Sequence, residues 1–235
     1  AACRQAGVIL VEHPTDLMDV SAAFSSVPLP RGTRVGITTL GGGWGVVAAD
    51  LCVEHGLEIP PLSEDIIRRI DTILPPYWSR SNPVDLVGEA DLTVPLRVME
   101  EMMQWDGCDA YIHMGIVGRR IMVQWLAESA AKTDPSQNKD LLKERMRRVI
   151  DFETFYLERM VRLMEKYGKP ILGVCLLSDE SSRMITDVEG SPFKGVVYLT
   201  PEQVVKALAK MCAYVRWLQA EGIAVGERGV RMPGT

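Results

Sequence analysis

Residues 34–55 read RVGITTLGGGWGVVAADLCVEH, and this stretch decides the fold. Its first apolar run, residues 35–39, predicts a buried strand, and the glycines of residues 40–45 predict a turn. The second apolar run, residues 46–55, predicts a helix that ends at Gly56. A strand, a tight turn and a helix in immediate succession are typical of the start of an α/β unit.

The same alternation continues along the chain. Further short apolar runs predict strands, and helical patterns separate them. Because the strands are continuous apolar runs, they are typical of a sheet with helices on both faces. We therefore predict an α/β fold, a doubly wound parallel sheet of flavodoxin-like type, over residues 33–220, with a helical insert at about residues 119–167. The later strands are predicted at residues 57–60, 84–86, 110–115, 171–176 and 196–198.

The two ends of the chain are predicted to lie outside this unit. Residues 1–32 contain a strand-like run at residues 8–11, a helical pattern at residues 16–24 and a linker rich in proline and glycine at residues 27–32. We interpret them as the C-terminal remnant of a preceding domain plus its linker. Residues 221–235 have little periodicity and predict a loose tail.

Composition narrows the class of protein. The chain has 235 residues, 47% of them hydrophobic and 24% charged, and a net charge of -5, which is typical of a soluble globular protein. Without a basic stripe, a signal peptide or an apolar run long enough to span a bilayer, we expect a cytoplasmic protein that binds neither nucleic acid nor membrane. Its five scattered cysteines form no C-x-x-C pair, so we expect reduced core residues and neither a metal site nor disulfides. We also expect no tightly bound cofactor.

The glycine-rich turn predicts an anion site. Glycine permits positive φ and close approach of the backbone to a ligand. The helix that follows directs unpaired N–H groups and the positive end of its dipole at whatever lies above the turn, and the usual occupant is a phosphate. The residues expected to present N–H groups to it are Gly41, Gly42, Gly43, Trp44 and Gly45.

Other sites use a similar turn. A dinucleotide-binding turn reads G-x-G-x-x-G, and Val46 stands where its third glycine belongs. A P-loop would continue as Gly-Lys-Ser/Thr, which this turn does not. An FMN-binding flavodoxin would have a Thr/Ser-rich phosphate loop, which Thr38 and Thr39 approach without completing. A plain tight turn without a ligand is the remaining alternative.

Polar residues near the ends of the predicted strands are candidates for the rim of this site. Residues 79–90 read SRSNPVDLVGEA, where Asn82 precedes a proline and is therefore excluded from helical backbone. Asp85 lies in a segment that we expect beside the glycine turn. His113 ends a predicted strand, at the edge where parallel sheets place their ligands. We predict rim positions for Asn82, Asp85 and His113.

Several motifs together resemble those of the NDP-forming acetyl-CoA and acyl-CoA synthetases, the succinyl-CoA synthetase-like enzymes. They are GGWGVVAAD at residues 42–50, LPP at 74–76, NPVDL at 82–86, YGKP at 167–170 and VYLTPE at 197–202. The resemblance covers about residues 1–217, and its motifs are fairly specific together but weak singly.

The resemblance implies a reversible reaction that converts acyl-CoA, NDP and phosphate to acid, NTP and CoA. A histidine carries the phosphoryl group in that family, and the helix near Gly43 resembles the one whose N-terminus holds the phosphohistidine. The family's Ser-His-Thr-Gly-Ala-like loop is absent from this sequence, so we predict no catalytic residue in the chain. CoA, phosphate and ADP or ATP with Mg are then expected as substrates of the complete enzyme, together with a small-molecule acid.

The expected partners are CoA-binding and ATP-grasp domains or subunits, in an oligomer. Without them, this chain would be an inactive module. An alternative is a non-catalytic module of the same fold with a CoA-linked regulatory or scaffolding role.

Overall fold

A computed structural model describes residues 2–88, 91–133, 139–175, 177–178 and 184–223. In these ranges a six-stranded sheet has the order β2-β1-β3-β4-β6-β5. The strands are β1 (Val35–Thr39), β2 (Val84–Asp85), β3 (Ala110–Met114), β4 (Ile171–Val174), β5 (Ile185–Asp187) and β6 (Lys194–Tyr198). The helices are α1 (Ala2–Gln5), α2 (Pro14–Ser26), α3 (Gly42–Glu54), α4 (Glu64–Asp71), α5 (Val94–Gln104), α6 (Arg119–Thr133), α7 (Lys139–Tyr167) and α8 (Pro201–Ala220).

The sheet is parallel from β2 to β6, as the alternation of strands and helices predicts. The short edge strand β5 is the exception, because it pairs antiparallel with β6. From β1 the chain moves outward to β2, and from β3 it moves in the opposite direction to β4. The order therefore reverses between β1 and β3, which is where open α/β sheets bind their ligands.

Helices cover both faces of the sheet and confirm the doubly wound architecture. On one face, α3 and α8 contact each other, and α2 packs on α8. On the other face, α5 packs against α7 and α4 against α5. Both central strands are fully buried, because apolar side chains point into both helical layers.

The first 32 residues pack closely against the last helix. The Tyr198 hydroxyl donates to the backbone oxygen of Asp19 at 2.8 Å, and the Trp217 indole N–H donates to that of Gln5 at 3.0 Å. Val20 and Ala23 of α2 belong to the same hydrophobic core as the sheet. Whether this segment is the end of a preceding domain stays a prediction.

Two predicted strands are wrong. Residues 8–11 have no regular structure, although they are apolar. At residues 57–60 only one bridge forms, between Arg34 and Glu58, and the prolines that follow offer no N–H to continue a ladder.

The long helical region is confirmed as α6 and α7. The second half of α7 covers the sheet, because Tyr156, Met160 and Val161 are fully buried. Of the five cysteines, four are buried as predicted and Cys3 is exposed. No helix among the described residues is long and apolar enough to cross a membrane. The predicted tail from residue 221 lies largely outside the described residues.

Candidate anion-binding site at the start of helix α3

The glycine turn connects β1 to α3 at the C-terminal edge of the sheet. The strand ends at Thr39 and the helix begins at Gly42, with Gly41 as its N-cap. Gly41 has no side chain, and no side-chain hydrogen bond caps the helix. Two of the predicted N–H donors are nevertheless engaged within the turn, because the Trp44 N–H donates to the Gly41 backbone oxygen at 3.1 Å and the Gly41 N–H donates to the Thr39 hydroxyl. The N–H groups of Gly42 and Gly43, at the start of the helix, are therefore the candidate donors at this edge of the sheet.

Thr39 holds the turn in shape. Its hydroxyl donates to the backbone oxygen of Gly41 at 2.9 Å and accepts from the Gly41 N–H at 3.1 Å. The Leu40 N–H donates to the backbone oxygen of Met114 at 3.2 Å, which ties the turn to β3. We did not predict this role for Thr39, although a threonine just before a glycine turn is a recognisable signal.

The prediction that these glycines are needed for positive φ is wrong. The structure instead shows that they leave space around the backbone of the turn. None of the glycines from Gly41 to Gly45 has a positive φ. A Cβ on Gly42 would meet Asp85 Oδ2 at 2.8 Å, and one on Gly45 would meet Thr39 Cγ2 at 3.0 Å. At Gly41 and Gly43 a Cβ would meet nothing within 4 Å. These two glycines leave the turn open, whereas Gly45 is buried by packing.

Asp85 lies beside the glycine turn. Its Oδ1 accepts from the Val87 N–H at 2.9 Å, and Oδ2 faces Gly42. The Leu86 N–H donates to the backbone oxygen of Thr39 at 2.9 Å, which fixes the segment against β1. The start of α3 is therefore bordered by both N–H donors and a carboxylate.

Asn82 does not lie on this rim. Its Oδ1 accepts from the Ile37 N–H at 3.0 Å, and its Nδ2 donates to the backbone oxygens of Val35 at 2.8 Å and Pro60 at 3.1 Å. The side chain thus bonds to backbone groups of β1 that have no β2 partner at this point of the strand. The predicted rim role of Asn82 is therefore wrong.

His113 does not lie on the rim either. It is fully buried within β3, where its Nε2 lies 3.2 Å from Met160 Sδ and its ring contacts that of Tyr156. A Cβ on Gly173 of β4 would lie 2.5 Å from the same nitrogen, so this glycine makes room for the imidazole. Burial lowers the pKa of His113 to about 3, which keeps the ring neutral. The predicted site role is wrong.

Three exposed apolar side chains follow the turn in sequence. Trp44 is 37% exposed, Val46 60% and Val47 47%, and all three lie in the first two turns of α3. Grouped exposed apolar side chains of this size mark interaction surfaces more often than scattered ones do.

Residues 35–125 match the family model of the Ligase-CoA domain. The acetate–CoA ligase [ADP-forming] of Methanocaldococcus jannaschii is 37% identical over 90 residues, which are 38% of this chain and 13% of that protein. The alpha subunit of acetate–CoA ligase [ADP-forming] II of Pyrococcus furiosus is 26% identical over 233 residues, 97% of this chain and 43% of that subunit. The resemblance to NDP-forming acyl-CoA synthetases is thereby confirmed.

A solved structure shares the fold. It is the dinucleotide forming acetyl-coenzyme A synthetase 1 of Ca. Korarchaeum cryptofilum, in complex with phosphate and ADP. The TM-score is 0.65 at 20% identity, over 96% of this chain and 42% of that one. The chain therefore spans less than half the length of the P. furiosus subunit and of this solved relative.

Proposed function

We propose that this chain is a module of an NDP-forming acyl-CoA synthetase, in which the start of α3 stabilises a phosphoryl group during its transfer. The observation that carries the proposal is the uncapped start of α3, left open at Gly41 and Gly43 on the ligand-binding edge of the sheet. The match to the Ligase-CoA domain includes this segment and supports the assignment. Preorganised N–H dipoles stabilise developing negative charge without taking part in bond formation.

The complete reaction would convert acyl-CoA, NDP and phosphate to acid, NTP and CoA, and would be reversible. In the proposed division of labour, CoA-binding and ATP-grasp domains or subunits hold CoA and the Mg-bound nucleotide. This chain contributes fixed dipoles and a docking surface, and the nucleophilic histidine comes from a partner.

Asp85 favours a phosphorylated histidine over free phosphate as the occupant. Its carboxylate, close to Gly42, opposes a free phosphate dianion by like-charge repulsion. A phosphohistidine also has a second imidazole ring nitrogen, and a carboxylate can accept a hydrogen bond from the N–H at that position. The N–H donors at the start of α3 would thus bind the phosphoryl group of a phosphohistidine, and the Asp85 carboxylate would accept from its imidazole ring.

The exposed apolar residues beside the turn suit a partner that carries this histidine. Trp44, Val46 and Val47 are exposed in the first two turns of the helix. A docked domain would cover them and exclude water, and charge interactions with the helix start would strengthen in the lower dielectric. The phosphoryl group would thus be stabilised most when the two domains meet.

Phosphate titration of the 235-residue chain tests the site directly. Inorganic phosphate should shift the amide NMR signals of Gly42 and Gly43. The dissociation constant should be millimolar or weaker, because a surface helix dipole contributes only about 0.3–1 kcal/mol. Asp85→Asn should bind phosphate severalfold more tightly because the opposing charge is gone. Glu54→Val, at the far end of α3, should change the binding less than Asp85→Asn. Shifts confined to other parts of the chain would contradict the proposal.

Phosphoryl transfer itself needs the complete enzyme. There, Gly43→Val should slow formation and discharge of the phosphohistidine at least tenfold, because the side chain occupies the open approach to the helix start. The isolated chain should fold as before, since that position is exposed. If phosphoryl transfer is unchanged in this variant, the glycines serve only to form the turn and the proposed role in catalysis is wrong.

A further inference from the structure

Residues 8–11 lie beside α8 as a segment without regular structure, and their side chains alternate between the core and solvent. Ile9 and Val11 pack against the hydrophobic core, whereas Val8 is 51% exposed and Leu10 is 43% exposed. An alternation with a period of two residues is the pattern of a β-strand. The segment therefore presents its side chains as a strand does, although it pairs with no strand of this fold.

The backbone of this segment is unpaired. The N–H and C=O groups of Ile9, Leu10 and Val11 form no hydrogen bond with any residue that the structure describes. Unpaired backbone groups beside outward-facing apolar side chains are a template on which another extended chain can pair. Strand addition of this kind obtains its affinity from main-chain hydrogen bonds and its specificity from the side-chain pockets alongside.

Trp217 of α8 holds the start of the segment in place. Gly7 has a φ of +73°, and a Cβ on it would meet the Trp217 Cη2 atom at 2.6 Å, so a glycine is needed where the chain passes the indole ring. The indole N–H also donates to the backbone oxygen of Gln5 at 3.0 Å. Because the segment is already held against α8, less ordering is needed when a partner pairs with it.

A groove of about 370 Å³ lies between this segment and α8. Val8, Ile9 and Leu10 line one side of it, and Ala213 and Tyr214 line the other. Both sides are largely apolar, so alternate apolar side chains of an added strand can enter the groove.

The charge of the groove indicates what kind of chain fits it. Two charged residues line it in the part of the chain that the structure describes, and both are cations, Arg4 and Lys210. Neither forms an ion pair with another described residue. A second copy of this chain fits poorly, because a symmetric interface would place this basic groove against itself and each chain has a net charge of -5. An acidic partner is complementary.

We propose that residues 8–11 pair with an extended acidic segment of another polypeptide, which adds to them as a β-strand and lies in the groove beside α8. Alternate apolar side chains of that segment enter the groove, and its acidic side chains pair with Arg4 and Lys210. Neither the glycine turn nor α3 lines this groove, so the inference does not depend on the proposed function.

The binding test titrates the isotope-labelled 235-residue chain with two acetylated and amidated peptides, Glu-Val-Glu-Ile-Glu-Val and Lys-Val-Lys-Ile-Lys-Val. The acidic peptide should shift the amide NMR signals of residues 8–11 and Ala213. It should bind about tenfold more tightly than the basic peptide, because the groove is lined by two cations. Equal affinity for the two peptides, or no binding of either, would overturn the proposal.

Hydrogen exchange at saturation with the acidic peptide distinguishes strand pairing from side-chain contact alone. Exchange should slow at least about tenfold at alternate amides of residues 9–11, because hydrogen bonds to one neighbouring strand involve alternate residues. Shifted signals without slower exchange at any of these amides would overturn the proposed pairing.

Three variants locate the site. Ala213→Trp fills the groove from the exposed surface of α8 and should abolish peptide binding. Lys210→Glu should reverse the preference between the two peptides, whereas Arg147→Glu makes the same change of charge on α7, outside the groove, and should leave the preference unchanged. Circular dichroism confirms that each variant is folded, and if Ala213→Trp is not folded, Lys210→Glu decides. An unchanged preference in Lys210→Glu, or full binding to folded Ala213→Trp, would overturn the proposal.

Light scattering of the chain without peptide tests a second copy as the occupant. The chain should show no dimer that Ala213→Trp dissociates. A dimer that this variant dissociates would assign the groove to a second copy and overturn the acidic partner.

Discussion

His113 packs its imidazole between β4 and α7 with no exposed surface. Burial lowers its pKa to about 3, whereas an unfolded chain binds the proton near pH 6.5. The unfolded state therefore holds the extra proton between these values, and stability is lost as the pH falls through this window. Within this window the free energy of unfolding falls by up to about 1.4 kcal/mol per pH unit, which makes it about 2 kcal/mol lower at pH 5 than at pH 7.

His113→Leu should remove this part of the acid sensitivity, because leucine does not titrate. Urea unfolding of both proteins at pH 7 and pH 5 measures this sensitivity. On acidification the free energy of unfolding of the variant should fall by about 2 kcal/mol less than that of the parent. His55→Gln, an exposed histidine at the end of α3, is the control and should retain the parent's loss. The same pH dependence in His113→Leu and the parent would contradict the buried, neutral state.

The positions of single polar residues were the hardest to predict. Asn82 and His113 were both expected at the rim, since each is close in sequence to the end of a strand. Asn82 instead bonds to the β1 backbone, and His113 points into the layer between the sheet and α7. Which face a side chain takes depends on neighbouring strands and helices that are distant in sequence. Asp85 was placed correctly beside the turn because β2 brings it there in register with Thr39.

Helix α3 depends on one close contact near its start. Gly45 packs against Thr39 and Pro83, with built Cβ distances of 3.0 and 3.1 Å, while Gly43 faces open space. Gly45→Ala should destabilise the protein by about 1–3 kcal/mol, because the methyl group forces α3 away from β1. Gly43→Ala should leave stability unchanged or raise it by up to about 1 kcal/mol, since alanine favours the helix. Equal unfolding midpoints in urea for the two variants would show that the contact carries no strain.

Elements with strong periodicity were predictable, and their ends were less so. The apolar run before the glycines is β1, and the helix after them begins at Gly42, four residues earlier than Val46. Glycines are poor helix formers, so local propensity argued for a turn, but packing of the helix against the sheet outweighs it. Residues 8–11 were mistaken for a strand because their apolar side chains suit one. A strand also needs an adjacent edge, which that segment does not have in this fold.

The molecule as a whole was predicted correctly in its architecture because strand–helix alternation is a property of the entire chain. The antiparallel edge strand β5 was missed because it has three residues and no distinct apolar pattern. The packing of residues 2–32 against α8 and β6 depends on contacts across the whole sequence, such as that between Tyr198 and Asp19. Such long-range contacts cannot be predicted from local sequence patterns.

The chain spans 43% of the P. furiosus subunit that it matches, so we expect the 235-residue chain alone to make no ATP. ADP, phosphate and acetyl-CoA incubated with it should give no ATP above the blank. Adding the remaining domains of the same enzyme as separate polypeptides should produce activity that rises with their concentration and saturates. Turnover by the chain alone would overturn the proposed division of labour.

The site of that association is predicted to be the start of α3. Val46→Glu places a charge on the apolar surface beside the open turn, and burying it on docking is costly. The concentration of partner domains needed for half-maximal activity should therefore rise at least tenfold. Val53→Glu makes the same change at a similarly exposed valine, 66% against 60%, two turns further along the helix. Val53→Glu should have a much smaller effect, because Val53 lies away from the helix start and from the phosphoryl site proposed there. If both variants weaken activity equally, the partner covers the length of α3; if neither does, the partner docks elsewhere and the proposed role of the apolar surface is wrong.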